Sequence, residues 1–185
     1  DTLFTGFKVS VIERRMNSPQ WGPDNWIYID GGQGGRINGP KLVQPIDLPV
    51  TGFRIKPDGS AIEPVSGHTG TYGFTFNADG DRFVISTGTP GIQIAPVPWR
   101  YFSRNADIAI RVSRRNGADY NTTFPISKPH PWRTKRADDP GFGKYYRDRY
   151  GAAESIPNGY FTSACSPLVY IDSALPGLSG QILAC

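Results

Sequence analysis

Only two histidines occur in the chain, His68 and His130, and they limit the proton chemistry it can do. Oxidising an alcohol needs a base that takes the hydroxyl proton as hydride leaves, and a histidine near neutral pH suits that role. His68, in the segment SGHTG at 66–70, sits on a loop entering a strand. There it faces either a substrate funnel, as the one weak catalytic candidate, or its own turn through a hydrogen bond. His130 lies between Pro129 and Pro131 and reads as a rigid turn or a surface contact. With no carboxylate cluster beside either, no metal site is expected. Arg14, Arg15 and Asn17 could hold the anionic edge of a cofactor, because guanidinium groups offer paired donors, or they could simply face solvent at a strand end. Asp24, Asp58 and Asp79 stand in turn sequences, where a carboxylate first serves backbone N–H groups. No Ser/His/Asp arrangement stands out. The glycine-rich segment GGQGG at 31–35 is expected to be a loop, and no Lys-Ser/Thr or helical pattern follows to make it a phosphate cradle.

These residues must be positioned by strands. WGPDNWIY at 21–28 and FNADGDRF at 76–83 repeat one pattern at a constant offset of 55 residues, with an aromatic three positions before an Asp and another four after it. Each runs strand, tight turn, strand, which describes a β-hairpin, and recurrence at about 50 residues suggests β-propeller blades. Residues 51–65 form another expected hairpin: Phe53 and Ile55 alternate before a Pro-Asp-Gly turn, Ile62 and Val65 follow it, and Arg54 and Lys56 point outward. Further strands are expected at 7–12, 92–98, 108–112, 161–170 and 181–185. The fold class is therefore all-β, a partial β-propeller of two to three blades in a single domain over 1–185. A long irregular insertion interrupts it at about 100–159, with a short helix where tyrosines recur in 143–150. A propeller closes with about four to eight blades, so two to three would leave strand edges and core open unless the remaining blades come from elsewhere or the small unit closes differently against a partner.

Composition agrees with a folded β protein: 185 residues, 38% hydrophobic, 12% aromatic, with 22 Gly and 17 Pro. The first residue, Asp1, suggests a processed, exported chain, and no apolar run nears the roughly 20 residues of a membrane span. Charge is uneven: residues 100–150 hold 12 Lys/Arg against 5 Asp/Glu, a net +7, leaving −3 for the rest. Within that block Arg114, Arg115, Trp132, Arg133, Lys135, Arg136, Lys144, Arg147 and Arg149 are the candidate partner-binding residues. An acidic protein partner fits them better than nucleic acid, since no nucleic-acid-binding motif accompanies them. Cys165 and Cys185 lie 20 positions apart with no CxxC or CxxCH, which excludes zinc and covalent haem within the chain. A disulfide, implying an oxidising compartment, and two buried thiols both remain open, with the disulfide the leading reading.

Five segments carry a resemblance: WGPDNWIY, FRIKPDGSAIEPVSGHT, VPWRYFSRN at 97–105, FPIS at 124–127 and above all YFTSACSPLVY at 160–170. In collinear order over nearly the whole chain, they resemble the large membrane-bound dehydrogenases of planctomycetes and related bacteria, relatives of the glucose/sorbosone dehydrogenases. That resemblance implies an exported, periplasmic or extracellular six-bladed propeller, often fused to helical repeats and a c-type cytochrome. It also implies a quinone cofactor of the PQQ type in a complete homologue, and a disulfide that here would join Cys165 to Cys185. The catalytic His of the sugar-oxidising relatives has no counterpart in residues 11–17, and this chain carries no haem motif. The expected role is therefore a non-catalytic propeller-like accessory subunit docking to a redox or membrane complex. The alternative is a fragment of a quinoprotein-like sugar or alcohol dehydrogenase that passes electrons to a cytochrome.

Overall fold

The computed structural model describes residues 1–9, 15–31, 33–65, 71–86, 92–94, 101, 104, 115, 116, 126–150 and 164–184. They form an all-β partial propeller of short antiparallel strands with two short helices. Strands β1 (Thr5–Phe7), β4 (Gly35–Asn38) and β5 (Ile46–Leu48) make a first sheet in the order β1-β4-β5. A four-stranded blade follows, built from β2 (Asn17–Trp21), β3 (Ile27–Asp30), β6 (Phe53–Ile55) and β7 (Ile62–Pro64) in that order. A second blade consists of β8 (Thr71–Phe76), β9 (Arg82–Ser86), β10 (Ile92–Ile94) and β11 (Arg115–Asn116), each paired to the next. The fourth sheet is the pair β12 (Leu168–Val169) and β13 (Ile182–Leu183).

The 55-residue repeat holds down to single hydrogen bonds. In the β2–β3 turn the Gly22 N–H donates to the Trp26 carbonyl at 2.8 Å and the Asn25 N–H to the Gly22 carbonyl at 3.3 Å. In the β8–β9 turn the Asn77 N–H donates to Asp81 and the Gly80 N–H to Asn77, both at 3.1 Å, at positions offset by 55. Asn25 and Gly80 both take left-handed backbone, φ 62° and 84°, as a three-residue hairpin loop demands of its last residue. Asp24 and Asp58 serve their turns as expected, through Trp26 N–H and Ser60 N–H. In the third turn Asn77 takes that part, its Oδ1 accepting from the Asp79 and Asp81 N–H groups, so Asp79 is not the acceptor it was expected to be.

Strand alternation gives the first blade two different faces. Ile27, Ile29, Phe53, Ile55 and Ile62 point one way and pack with Ile37 and Leu48 of the first sheet, where Phe7 stacks on Phe53 with ring centroids 5.2 Å apart. The opposite face carries a cross-strand row of Gln20, Tyr28, Arg54 and Glu63, each opposite the next in register. The second blade packs on that face, with Tyr28 edge-on to Phe76 at 5.1 Å and tilted against Phe74 at 6.3 Å. Gln20 and Thr75 are repeat equivalents, and each reaches the backbone of the next sheet. Gln20 Nε2 donates to the Phe74 carbonyl at 2.9 Å, and Thr75 Oγ1 accepts from the Val169 N–H at 3.1 Å.

Several sequence expectations need correction. Arg54 alternates off the core face but does not reach solvent, because its side chain is only 11% exposed. It bridges Asp24 and Glu63, lies 3.1 Å from the Tyr28 hydroxyl and stacks 4.4 Å from the Trp26 ring centroid. Of the strand expected at 7–12, Lys8 and Val9 do not continue β1 and residues 10–12 lie outside the described residues; Gly35 opens β4 where a loop was expected, and the first sheet was not anticipated. The helix expected at 143–150 falls inside α2 (Pro140–Tyr150), and α1 (Pro131–Asp138), not anticipated, precedes it. The strand expected at 108–112 lies outside the described residues.

Burial works against the Arg54 charge, yet its hydrogen bonds to Glu63 and Tyr28 outweigh that penalty and hold it above its ordinary pKa. Arg54→Ala removes charge-assisted hydrogen bonds that leave two partly buried carboxylates exposed to each other. We expect a loss of about 2–3 kcal/mol in urea unfolding. Asp79→Asn, at a position where the turn does not use the carboxylate, should change stability by under about 0.5 kcal/mol.

Candidate functional site

The residues that sequence reasoning missed are Asp30 and Arg82. Asp30 ends β3 on the same face as Tyr28, two positions on, and Arg82 opens β9, so the pair lies where the two blades meet. Asp30 is fully buried and Arg82 nearly so. Gly52 makes room for them: a Cβ there would stand 3.1 Å from Asp30 Oδ1 and 3.3 Å from Arg82 Nη1. Among the described residues neither carboxylate oxygen of Asp30 reaches a hydrogen bond of normal geometry.

Desolvation therefore dominates both charges. Burial pushes the Asp30 carboxyl up to about 6, with the Arg82 charge and the Gly31 backbone amide pulling it back only in part. Burial likewise draws the Arg82 guanidinium below its ordinary value, against the attraction of Asp30. A carboxyl that titrates near neutrality is equipped to exchange a proton, but one with no exposed surface must act through its field unless the blades part.

The loop around this pair contains one of the predicted cofactor residues. Asn17 lies opposite Asp30 in the β2–β3 register, and its Nδ2 donates to the Arg15 carbonyl at 3.0 Å. Gly31 follows Asp30 with φ 76°, and a Cβ on it would come within 2.2 Å of the Arg15 carbonyl oxygen, so only glycine allows this approach. Arg15 is exposed and contributes a backbone carbonyl, while Arg14 lies outside the described residues, as does His68. The signal available in the sequence was an Asp directly before a double glycine at the end of a strand. Nothing local marked Arg82.

The partner-binding candidates gather elsewhere. Trp132, Arg133, Lys135 and Arg136 lie on α1, and Lys144, Arg147 and Arg149 on α2, with Arg115 in β11 and Arg114 outside the described residues. His130 caps α1, its Nδ1 accepting from the Trp132 N–H at 3.4 Å, with Pro131 fitting the first helical position. Asp139 then joins the helices. Its N–H donates to the Lys135 and Arg136 carbonyls, and its Oδ1 accepts from Gly141 and Phe142 at 2.9 and 2.8 Å.

No residue of α1 is buried, and Trp132 is 50%, Phe142 66% and Tyr145 55% exposed. The Arg136 and Arg133 guanidinium carbons lie 4.8 and 5.8 Å from the Trp132 ring centroid. An open cleft of about 670 Å³ runs beside α1 between Lys128, Pro129, Thr134 and Lys135. Lys144 pairs with Asp148 one turn on. Cys165 is half-buried, while Cys185, and with it their expected disulfide, lies outside the described residues. Among the described residues there is no group of His, Cys, Asp or Glu able to hold a metal ion, and no helix long and apolar enough to cross a membrane.

The raised Asp30 carboxyl fixes the sign of a pH effect. The folded state holds this proton more tightly than the unfolded chain, whose carboxyl has the ordinary value of 3.8, so the group stabilises the fold at low pH and loses that contribution as pH rises from about 4 to 6. Relative to the parent, Asp30→Asn should therefore gain stability between pH 4 and 7, by up to about 3 kcal/mol. Urea unfolding of both proteins across that range measures it, and a flat or falling difference contradicts the assignment.

The chain belongs to a family described as a domain of unknown function, DUF7133, which matches residues 1–185. No curated protein and no solved structure matches it.

Proposed function

We propose that this DUF7133 domain is a non-catalytic, exported propeller-like scaffold that docks an acidic redox or membrane protein complex through the α1–α2 hairpin. The observation that carries the reading is Trp132, a half-exposed indole flanked by Arg133 and Arg136, on a helix with no buried residue. A half-exposed Trp stacked with Arg is the composition of binding hot spots, and spending helix caps on a helix with no buried residue makes sense if a partner covers it. The excess positive charge of residues 100–150 supplies long-range attraction to an acidic surface.

A second reading is favoured by Asp30. A buried carboxyl tuned to about 6 beside an arginine and a glycine-rich loop is the kind of perturbed group that active sites use. On that reading the domain is part of a quinoprotein-like dehydrogenase, with a PQQ-type cofactor held by a complete homologue and electrons leaving to a c-type cytochrome. Asn17 and Arg15 would then stand near the cofactor edge. Dye reduction by the native material, driven by a sugar or alcohol and lost in Asp30→Asn, would replace the first reading with this one.

The scaffold reading is tested with Trp132→Ala alone and combined with Arg133→Glu and Arg136→Glu. Both should fold with unchanged melting temperature and lose the acidic complex that co-purifies with the parent, the Trp change alone weakening the complex by about 2 kcal/mol or ~30-fold in Kd. Undiminished, salt-insensitive binding would refute it.

The export part of the proposal rests on a Cys165–Cys185 disulfide. Its support is the β12–β13 register, in which Leu168 stands opposite Leu183 and so brings the chain just after Cys165 beside the chain just before Cys185. Under denaturing, non-reducing conditions iodoacetamide should add no mass to protein from its source. Alkylation of both cysteines would exclude the bond.

A further inference from the structure

Lys128 and Lys135 are exposed, and among the described residues neither ammonium is ion-paired or hydrogen-bonded, whereas Lys144 on α2 pairs with Asp148. The two lysines flank the open cleft beside α1, together with the rings of Pro129 and Pro131, and Asp138 and Asp139 stand at its far end. Asp139 Oδ1 is turned to the Gly141 and Phe142 N–H groups, so its charge is held at the start of α2. Pro131, Lys135 and Asp138 fall within about 60° of one another around the helix axis, and Trp132 borders Lys135 three positions on. Burial agrees with that spacing: these four are exposed, while Arg133, Thr134, Arg136 and Ala137 are half-buried. The exposed half of α1 is thus one surface, with an indole on one flank and the cleft on the other. Its charge changes along its length, from two ammonium groups to a carboxylate at the helix end.

We propose that this cleft takes an extended acidic segment of the partner, which rests on the docking reading and names what the partner brings to it. Charge complementarity carries the assignment: the two ammonium groups that nothing in the described fold neutralises stand on either side of one groove. Proline rings offer apolar surface and no N–H group, so the groove recognises side chains and not a main-chain ladder. An extended segment suits it, because alternate residues can turn apolar groups to Pro129, Pro131 and the Trp132 indole and carboxylates to Lys128 and Lys135. The eight residues of α1 span about 12 Å, the length of about four extended residues. Asp138 repels a carboxylate at the helix end, so the segment is acidic over the lysines alone and lies in one direction. A nucleic-acid strand, charged at every step, would meet Asp138, and a flat bilayer would leave the cleft unfilled.

Fluorescence anisotropy with a labelled Leu-Glu-Leu-Glu-Leu peptide and the full chain tests it. The peptide should bind at low salt, and its counterpart with glutamine for glutamate should not. Lys128→Glu combined with Lys135→Glu should raise the Kd by about tenfold or more without moving the melting temperature. No binding by the parent, or equal binding by the lysine variant, overturns the inference. So does tighter binding of oligothymidylate or of phosphatidylglycerol vesicles that the same lysines control, which would put another anion in the cleft. The docking reading is judged apart, on the co-purifying complex. A complex kept by the lysine variant and lost by Trp132→Ala removes the cleft and leaves the hairpin, whereas a complex kept by both variants removes both readings.

Discussion

Among the described residues no sheet has more than four strands, and most strands are three to five residues long, so each sheet must lie against another to bury a face. That requirement organises everything described above. The first blade is covered on both sides, by the small first sheet through Ile37, Leu48 and Phe7 and by the second blade through Phe74 and Phe76. One interface is a conventional apolar layer. The other is built on aromatic rings, with ionised groups sealed at its margins.

The mixed interface is the costly one, and its two charged clusters meet the cost differently. Around Arg54 every group has a partner: two carboxylates, a tyrosine hydroxyl and a stacked indole, so the charge is favoured despite burial. Around Asp30, among the described residues, the carboxylate oxygens go without good hydrogen bonds, and the attraction of Arg82 does not make up the difference. A fold seeking only stability would place apolar groups there. A buried carboxyl held above its ordinary pKa beside a glycine-rich loop is what gives the dehydrogenase reading its foothold, while full burial keeps that reading second.

The helical hairpin follows another logic. Its ends are finished with care, His130 and Asp139 taking the orphan N–H and carbonyl groups, yet α1 buries nothing. Local hydrogen bonding thus supports a helix, α1, that has no buried residue, and Trp132 on it stays half exposed. This separation, with sheets holding the fold and helices presenting the surface, is why the docking reading rests on the hairpin.

Local order was legible in the sequence. The 55-residue repeat located both blade hairpins and their turns, because a tight turn imposes its requirements on adjacent positions whatever packs around it. The 51–65 hairpin and the helix near 143–150 were readable for the same reason. The fate of each face was not. Alternation placed Arg54 off the core, but only the arrival of Trp26 and Tyr28 beside it, and of Asp24 from thirty residues away, turned an outward charge into a half-buried one. Asp30 and Arg82 are 52 residues apart and meet only because the blades stack, and β1 finds β4 only across an intervening hairpin. The sequence alone determined the blade hairpins and their turns, which depend on neighbours a few residues away. Tertiary structure alone decided which polar groups lost their water, because desolvation depends on what arrives from elsewhere in the chain.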